Sequence, residues 1–405
     1  MSPGAASVRI VRMQKLLAVL AVTSLVAACG SGSDGAAGAP SSSASARSDG
    51  TVRIATFNAS LDRTKPGELR SDLSTPGNRQ AQVIAEIIQR TNPDVLLINE
   101  FDYYADNAAA DLFRINYLQV AQNGQRAVEY PYAWSPPVNT GVPSGRDLNG
   151  DGRTDGPDDA YGFGQFPGQY GLLVLSKFPI DTPSIRTFQN FLWKDQPGNK
   201  LPRDYYGGNA DILRLSSKTH ADVPITVDGK TIHLWVSHPT PPSFDGPEDR
   251  NGRRNFDEIR LSADYLAGGD RASYLYDDKG QRGGLPAGES FVLLGDQNSD
   301  PDDGDSVPGA IAQVLSLTQD PRPTSEGAEK AGEGSNHRTP SRYDTADFSK
   351  PTPGNLRVDY VLPSKDLTVA GTGVFWPAPG QPAAELMPPK TSSDHRLVWL
   401  DLKTS

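Results

Sequence analysis

Cysteine is almost absent from this 405-residue chain: Cys29 is the only one. A disulfide framework is therefore excluded, and the folded part must rest on a core of the size such a chain can bury. Basic charge is also scarce, with 39 Lys and Arg against 49 Asp and Glu and a net charge of −10. Residues 1–28 hold three bases (Arg9, Arg12, Lys15) and no acid, so without them 36 bases face 49 acids, a net near −13. Bulk electrostatics thus oppose nonspecific attachment to nucleic acid, leaving a local basic patch or a metal ion as ways around the repulsion. A membrane-spanning run is missing as well. The apolar stretch Leu16–Ala28 is thirteen residues long, short of the ~20 that cross a bilayer.

What is present at the N-terminus is a leader. The basic flank, the apolar stretch and Val26-Ala27-Ala28-Cys29-Gly30 read as a bacterial lipoprotein signal peptide over 1–28, with Cys29 as the lipid-bearing residue. An ordinary cleaved secretion signal is the other reading, and Met13 offers a second start. Residues 29–50, rich in Gly, Ser and Ala, follow as a flexible tether. The expected location is outside the cytoplasm, lipid-anchored to the cell membrane or secreted.

From residue 51 to 405 one domain is expected. The apolar spacing of Ala81, Ile84, Ile87 and Ile88 predicts a helix over Asn78–Arg90, stopped by Asn92-Pro93 and followed by a buried strand Val95–Ile98. Tyr170–Ser176 reads as another buried strand. Asp228-Gly229 marks a hairpin turn within Ile225–Ile232. Phe256, Ile259, Ala263 and Leu266 predict a surface helix over Asn255–Leu266 that Gly268-Gly269 ends. Four long polar stretches (136–169, 239–254, 300–309 and 321–353) are expected to form the walls of a site at one rim.

The strand ends carry the chemistry. Phe291–Leu294 runs into Gly295-Asp296-Gln297-Asn298, and alternation along an extended chain lets Asp296 and Asn298 reach one centre. Val52–Phe57 ends on Asn58, Val95–Ile98 on Asn99-Glu100, and Ile232–Ser237 on His238; Leu356–Leu362 carries Asp359, and Ser393-Asp394-His395 precedes Leu397–Leu400. In this order the motifs resemble the endonuclease/exonuclease/phosphatase superfamily, over about Thr51–Lys403. The resemblance implies an α/β fold with a four-layer sandwich, two central mostly antiparallel sheets flanked by helices, as in deoxyribonuclease I. It also implies a hydrolase of phosphoric mono- or diesters.

Roles follow from the resemblance and from what phosphoester hydrolysis requires: charge neutralisation, an activated water and a stabilised leaving oxygen. Glu100 is the expected ligand for Mg2+ or Mn2+, with Asn58 on the metal or the phosphate and Asp394 adding a carboxylate. The family usually has Gln where Asn99 stands. Asp296 orients or deprotonates water, Asn298 donates to a phosphate oxygen, and His238 bonds another oxygen or helps the leaving group. Asp359 and His395 form a dyad that contacts phosphate or moves a proton. Nuclease, sphingomyelinase-like phospholipase and small-ester phosphatase all remain open, so the substrate is nucleic acid, phospholipid or a small phosphoester. No obligate protein partner is evident. The competing class is a noncatalytic ligand-binding surface lipoprotein on the same fold.

One motif is independent of the resemblance. Asp147, Asn149, Asp151, Asp155 and Asp158 occupy positions 1, 3, 5, 9 and 12 of a loop with Gly152 at position 6, as in EF-hand-like calcium sites. Calcium is expected to order the 136–169 insertion beside the site.

Overall fold

The computed structural model describes residues 47, 49–332, 337–350, 352–389 and 391–404. The expected leader, Cys29 and nearly all of the expected tether lie outside these residues. Arg47, near the tether's end, reaches the carboxylates of Asp94 and Asp401 at 3.4 and 3.8 Å.

Among the described residues, eleven strands form two sheets. The first contains β1 (Thr51–Leu61), β2 (Val95–Phe101), β3 (Tyr132–Trp134), β4 (Leu172–Ser176), β10 (Val369–Val374) and β11 (Val398–Lys403), in the order β10-β11-β1-β2-β4-β3. The second contains β5 (Arg186–Thr187), β6 (Ala221–Val227), β7 (Lys230–Val236), β8 (Phe291–Asp296) and β9 (Asp359–Pro363), paired in that order. Each sheet has one parallel pair, β1–β2 and β7–β8, and is otherwise antiparallel. A helix lies in each parallel crossover, Arg79–Thr91 in the first and Arg250–Ala267 in the second. β1 and β2 pack against β8 and β9.

Alternation along the strands builds the layers. Leu234, Val236, Val292 and Leu294 join the core shared with the first sheet, whereas Trp235, Phe291 and Leu293 face the opposite way, into a cluster with Ile259, Leu261 and Tyr265 of the second crossover helix. The result is the helix, sheet, sheet, helix order expected from the sequence.

Local signals explain the boundaries. Asn78 caps its helix, its side chain accepting from the Ala81 N–H, and Asn92 ends it in the left-handed conformation. Asp228 and Gly229 both have positive φ (48° and 79°), as a tight hairpin needs. The second crossover helix begins at Arg250, five residues before the expected start. It is not a surface helix either, because Asn255, Asp257 and Glu258 on its polar side are buried too. Those three side chains bond to loop backbone, which is why polarity there does not mean exposure. Among the described residues, no helix is long and apolar enough to cross a membrane.

Candidate active site

One bulge aims the first side chains. β1 and β2 pair in register up to Asn58↔Asn99 and resume at Leu61↔Phe101, leaving one extra residue in β1. Ser60 (φ 48°) and Glu100 (φ 57°) take the left-handed conformation there. Asn99 stays in the pleat, fully buried, its Oδ1 accepting from the Asp296 N–H at 3.2 Å and from Thr56 Oγ1 at 3.3 Å. The bulge turns Glu100 off that line, and a quarter of its side chain meets water.

The second sheet supplies the centre. Gly295, at φ 141°, brings β8 so close to β7 that a Cβ there would strike the Ser237 carbonyl. Asp296 then emerges in register opposite Asp359 of β9. Its Oδ2 accepts from Asn58 Nδ2 at 3.1 Å and lies 3.4 Å from His238 Nε2 and 3.6 Å from His395 Nε2. Its Oδ1 accepts the Asn298 N–H at 2.8 Å. His395 Nδ1 lies 2.9 Å from Asp359 Oδ2, which also accepts from Thr345 Oγ1 at 2.9 Å. Phe348 meets the His395 ring edge-on. Ser393 Oγ donates to the Asn58 carbonyl at 2.7 Å, tying the last motif to the first.

The charges polarise one another. Burial works against charge on His395, but the carboxylates of Asp359 and Asp296 outweigh it and hold the imidazole well above its ordinary range, as an imidazolium. Burial likewise opposes ionisation of Asp296, and the two histidines outweigh it, so this carboxyl stays below its usual range. Burial pushes Asp359 up to about 6 against the pull of His395. His238 goes the other way, down to about 4, through burial and the nearby Lys218 charge. Glu100 is pushed up to about 7 by burial and then by the Asp62 charge. Asp62 is raised in turn by burial, with Asp394 contributing. Negative charge is thus crowded at the Glu100 end of the site.

Above these groups lies a cleft of about 940 Å3 lined by Asp62, Glu100, Asp296, Asn298, Asp394 and His395, among others. A family model described as the Endonuclease/Exonuclease/phosphatase family matches residues 55–395. The chain belongs to that family. Its members are mostly hydrolases of phosphoester bonds. No curated protein sequence matches the chain. Among solved structures, it is similar to an endonuclease/exonuclease/phosphatase from Beutenbergia cavernae (16% identity, 87% of this chain and 71% of that one, TM-score 0.49). Sphingomyelinase C from Streptomyces griseocarneus is similar at 18% identity (87% and 99% coverage, TM-score 0.45). TDP2 from Caenorhabditis elegans is similar at 15% (87% and 74%, TM-score 0.41).

The structure brings Asn58, Glu100, His238, Asp296, Asn298, Asp359, Asp394 and His395 to one rim of the family's sandwich. Within that set, the Asn298 amide donates to the Pro239 carbonyl at 3.0 Å, and Asn58 Oδ1 accepts the Ser60 N–H at 3.2 Å. Asp296, Asp359 and His395 offer ligand atoms within 4.8 Å of one another, the one such trio of metal-ligand types among the described residues. Three of the four long polar stretches line the cleft, through residues 241–244, through 300 and 303–306, and through 347–349 with 352 and 353. The 136–169 insertion does not, because Leu148 anchors it in the outer core beside the second crossover helix. In its loop, Asp147 accepts the N–H groups of Gly150 and Gly152, Asn149 and Asp151 accept from Asp151 and Arg153, and Asp155 pairs with Arg153. Asp158 at its end is exposed.

Sequence reasoning missed Asp62, which lines the cleft. Asp62 sits just past the end of β1, four residues after Asn58, where the bulge moves it out of any regular periodicity. Thr345, which fixes Asp359, lies in a polar stretch with no pattern to mark it.

Proposed function

We propose that this protein is a metal-dependent phosphoester hydrolase acting outside the cytoplasm. The observation that carries the reading is the Asp296 carboxylate, held by Asn58 from one sheet and flanked by His238 and His395 from both. The donor chemistry beside it fits a hard divalent cation. Glu100, Asp62 and Asp394 are oxygen donors in one cleft, and the first two are pushed up by burial and by neighbouring negative charge that a cation would relieve. Mg2+ or Mn2+ held by Glu100 and Asp394, with Asn58 beside them, would neutralise phosphate charge and polarise a phosphoryl oxygen.

The remaining work falls to the chain. Asp296, ionised and buried, orients the attacking water and draws on its proton. The imidazolium of His395, its ring oriented by Asp359, donates to phosphate or to the departing oxygen as the P–O bond breaks. His238, kept neutral, bonds a second phosphate oxygen, and the Asn298 amide turns from Pro239 to a third. Eight carboxylates line the cleft, and no Lys or Arg does among the described lining residues. That charge favours a small or lipid phosphoester over nucleic acid. Phe244, 88% exposed at the cleft mouth, adds an apolar contact that the polar composition of these loops conceals. The leader supports a lipid-anchored or secreted location, and the 147–158 loop supports calcium in a structural role away from the cleft.

The test is a substrate panel of plasmid DNA, bis(p-nitrophenyl) phosphate, p-nitrophenyl phosphate and sphingomyelin vesicles, each with Mg2+ or with chelator. Turnover of at least one ester that chelator abolishes is expected. No turnover of any ester with Mg2+ or Mn2+ would favour the noncatalytic binding lipoprotein instead.

A further inference from the structure

Lys218 is 6% exposed, yet among the described residues no hydrogen bond or ion pair reaches its ammonium. Other buried cations of this chain are paired: Arg186 with Asp277 at 2.8 Å, Arg396 with Asp347 at 3.2 Å, and Arg357 with Asp320 at 2.9 Å. A desolvated charge without a partner is unfavourable, so a structural role leaves Lys218 unexplained.

Its position is set with care. Lys218 lies three residues before β6, whose first residue Ala221 pairs with Val236, two residues before His238. The β7–β8 ladder pairs Val236 with Leu294, which leads to His238 beside Asp296. Three backbone contacts hold this segment. Ser217 N–H donates to Glu258 Oε1 at 2.7 Å, the Lys218 carbonyl accepts from Asn139 N–H at 3.0 Å, and the Ser216 carbonyl accepts from Asn139 Nδ2 at 2.8 Å. The other Glu258 oxygen accepts the Thr240 N–H at 2.6 Å, so one buried carboxylate clamps the segments carrying Lys218 and His238. With both oxygens engaged by backbone, Glu258 does not form an ion pair with the lysine.

Two further facts point toward the site. Burial holds the Lys218 amine below its ordinary range, and Glu258, Glu100 and Asp296 oppose this through space; its charge is in turn felt by His238. His238 Nδ1 is sealed from water with no partner, whereas the Lys218 ammonium is not, so the small exposed part of that residue includes its tip.

We propose that Lys218 is a phosphate-binding residue, donating its ammonium to a non-bridging oxygen of the substrate's phosphate from beside His238. It supplies the fixed cation that the acidic cleft lining lacks, and the bound phosphate is the partner it is missing. This rests on the phosphoester reading of the same site.

The experiment compares wild type with Lys218→Met and Lys218→Gln in Mg2+, reading kcat and KM for bis(p-nitrophenyl) phosphate, binding of inorganic phosphate by calorimetry, and Tm. Roughly a 10²-fold loss of kcat/KM is expected. Phosphate binding should weaken about tenfold, and Tm should match or exceed wild type, because an unpaired buried charge has been removed. Lys218→Gln covers the case in which the Met variant does not fold. Phosphate affinity and kcat/KM both within twofold of wild type in a folded variant overturn the proposal. A wild type inactive on every ester overturns the phosphoester reading instead, and the phosphate affinities still decide the role of Lys218.

Discussion

Asn58 and Asp296 lie 238 residues apart in sequence and on different sheets, yet Asn58 Nδ2 donates to Asp296 Oδ2 at 3.1 Å with both residues buried. This bond joins the two halves of the sandwich at the point where the chemistry is placed. Asn58→Ala leaves a buried carboxylate short of a donor, a cost of about 1.5–3 kcal/mol for a hydrogen bond to a charged group. Chemical denaturation should show that loss of stability, and turnover in Mg2+ should fall with it.

The Asp359–His395 pair predicts a pH effect. Asp359 helps hold the imidazole in its charged form, so Asp359→Asn should move the alkaline limb of the kcat profile to lower pH. It should also lower kcat by roughly 10²–10⁴, the usual contribution of a positioned proton donor. KM should change far less. A kcat profile superimposable on wild type would remove His395 from proton transfer.

Stability without metal should decline as pH rises. Glu100 and Asp102 are each pushed up to about 7, by burial first and by Asp62 second. Between the ordinary carboxylate range near 4 and pH 7, the folded state therefore binds more protons than the unfolded state, and stability falls with pH across that window. In chelator, Tm at pH 8 should lie on the order of 5 °C below Tm at pH 5. Mg2+ should recover most of the difference at pH 8 and little at pH 5, as differential scanning calorimetry would show.

Asn99→Gln restores the residue usual in the family, and here it should harm. Asn99 is fully buried between the sheets with Oδ1 on the Asp296 N–H and Nδ2 on the Ser237 carbonyl at 3.4 Å. An added methylene overpacks that junction at a cost of about 1–3 kcal/mol. Denaturant titration should show the loss, with Mg2+ affinity largely unchanged.

Much of this was legible in the sequence, for a physical reason. Buried strands ending in chemistry-bearing residues show as apolar runs followed by Asn, Glu, His or Asp, and their order marked the superfamily. The hairpin at Asp228-Gly229 and the cap at Asn78 are local and could be read directly. What stayed hidden depends on tertiary contact. The bulge that aims Glu100 and brings Asp62 into the cleft leaves no periodic trace, and the edge strands β3, β5 and β10 are too short or too mixed to stand out. The buried polar face of Arg250–Ala267 looks like a solvated one until Glu258 and Asn255 are seen bonded to loop backbone. Lys218 sits in Ser216–Asp222, where nothing in the pattern separates a buried ammonium from a surface one.

The most direct test of the central claim is steady-state hydrolysis by wild type and Asp296→Asn, with substrates chosen by the panel and Mg2+ titrated against chelator. Activity that vanishes in chelator, returns with Mg2+, and falls by at least 10³-fold in a folded Asp296→Asn variant is the predicted result. Equal turnover by Asp296→Asn and wild type, or turnover indifferent to chelator, would contradict it.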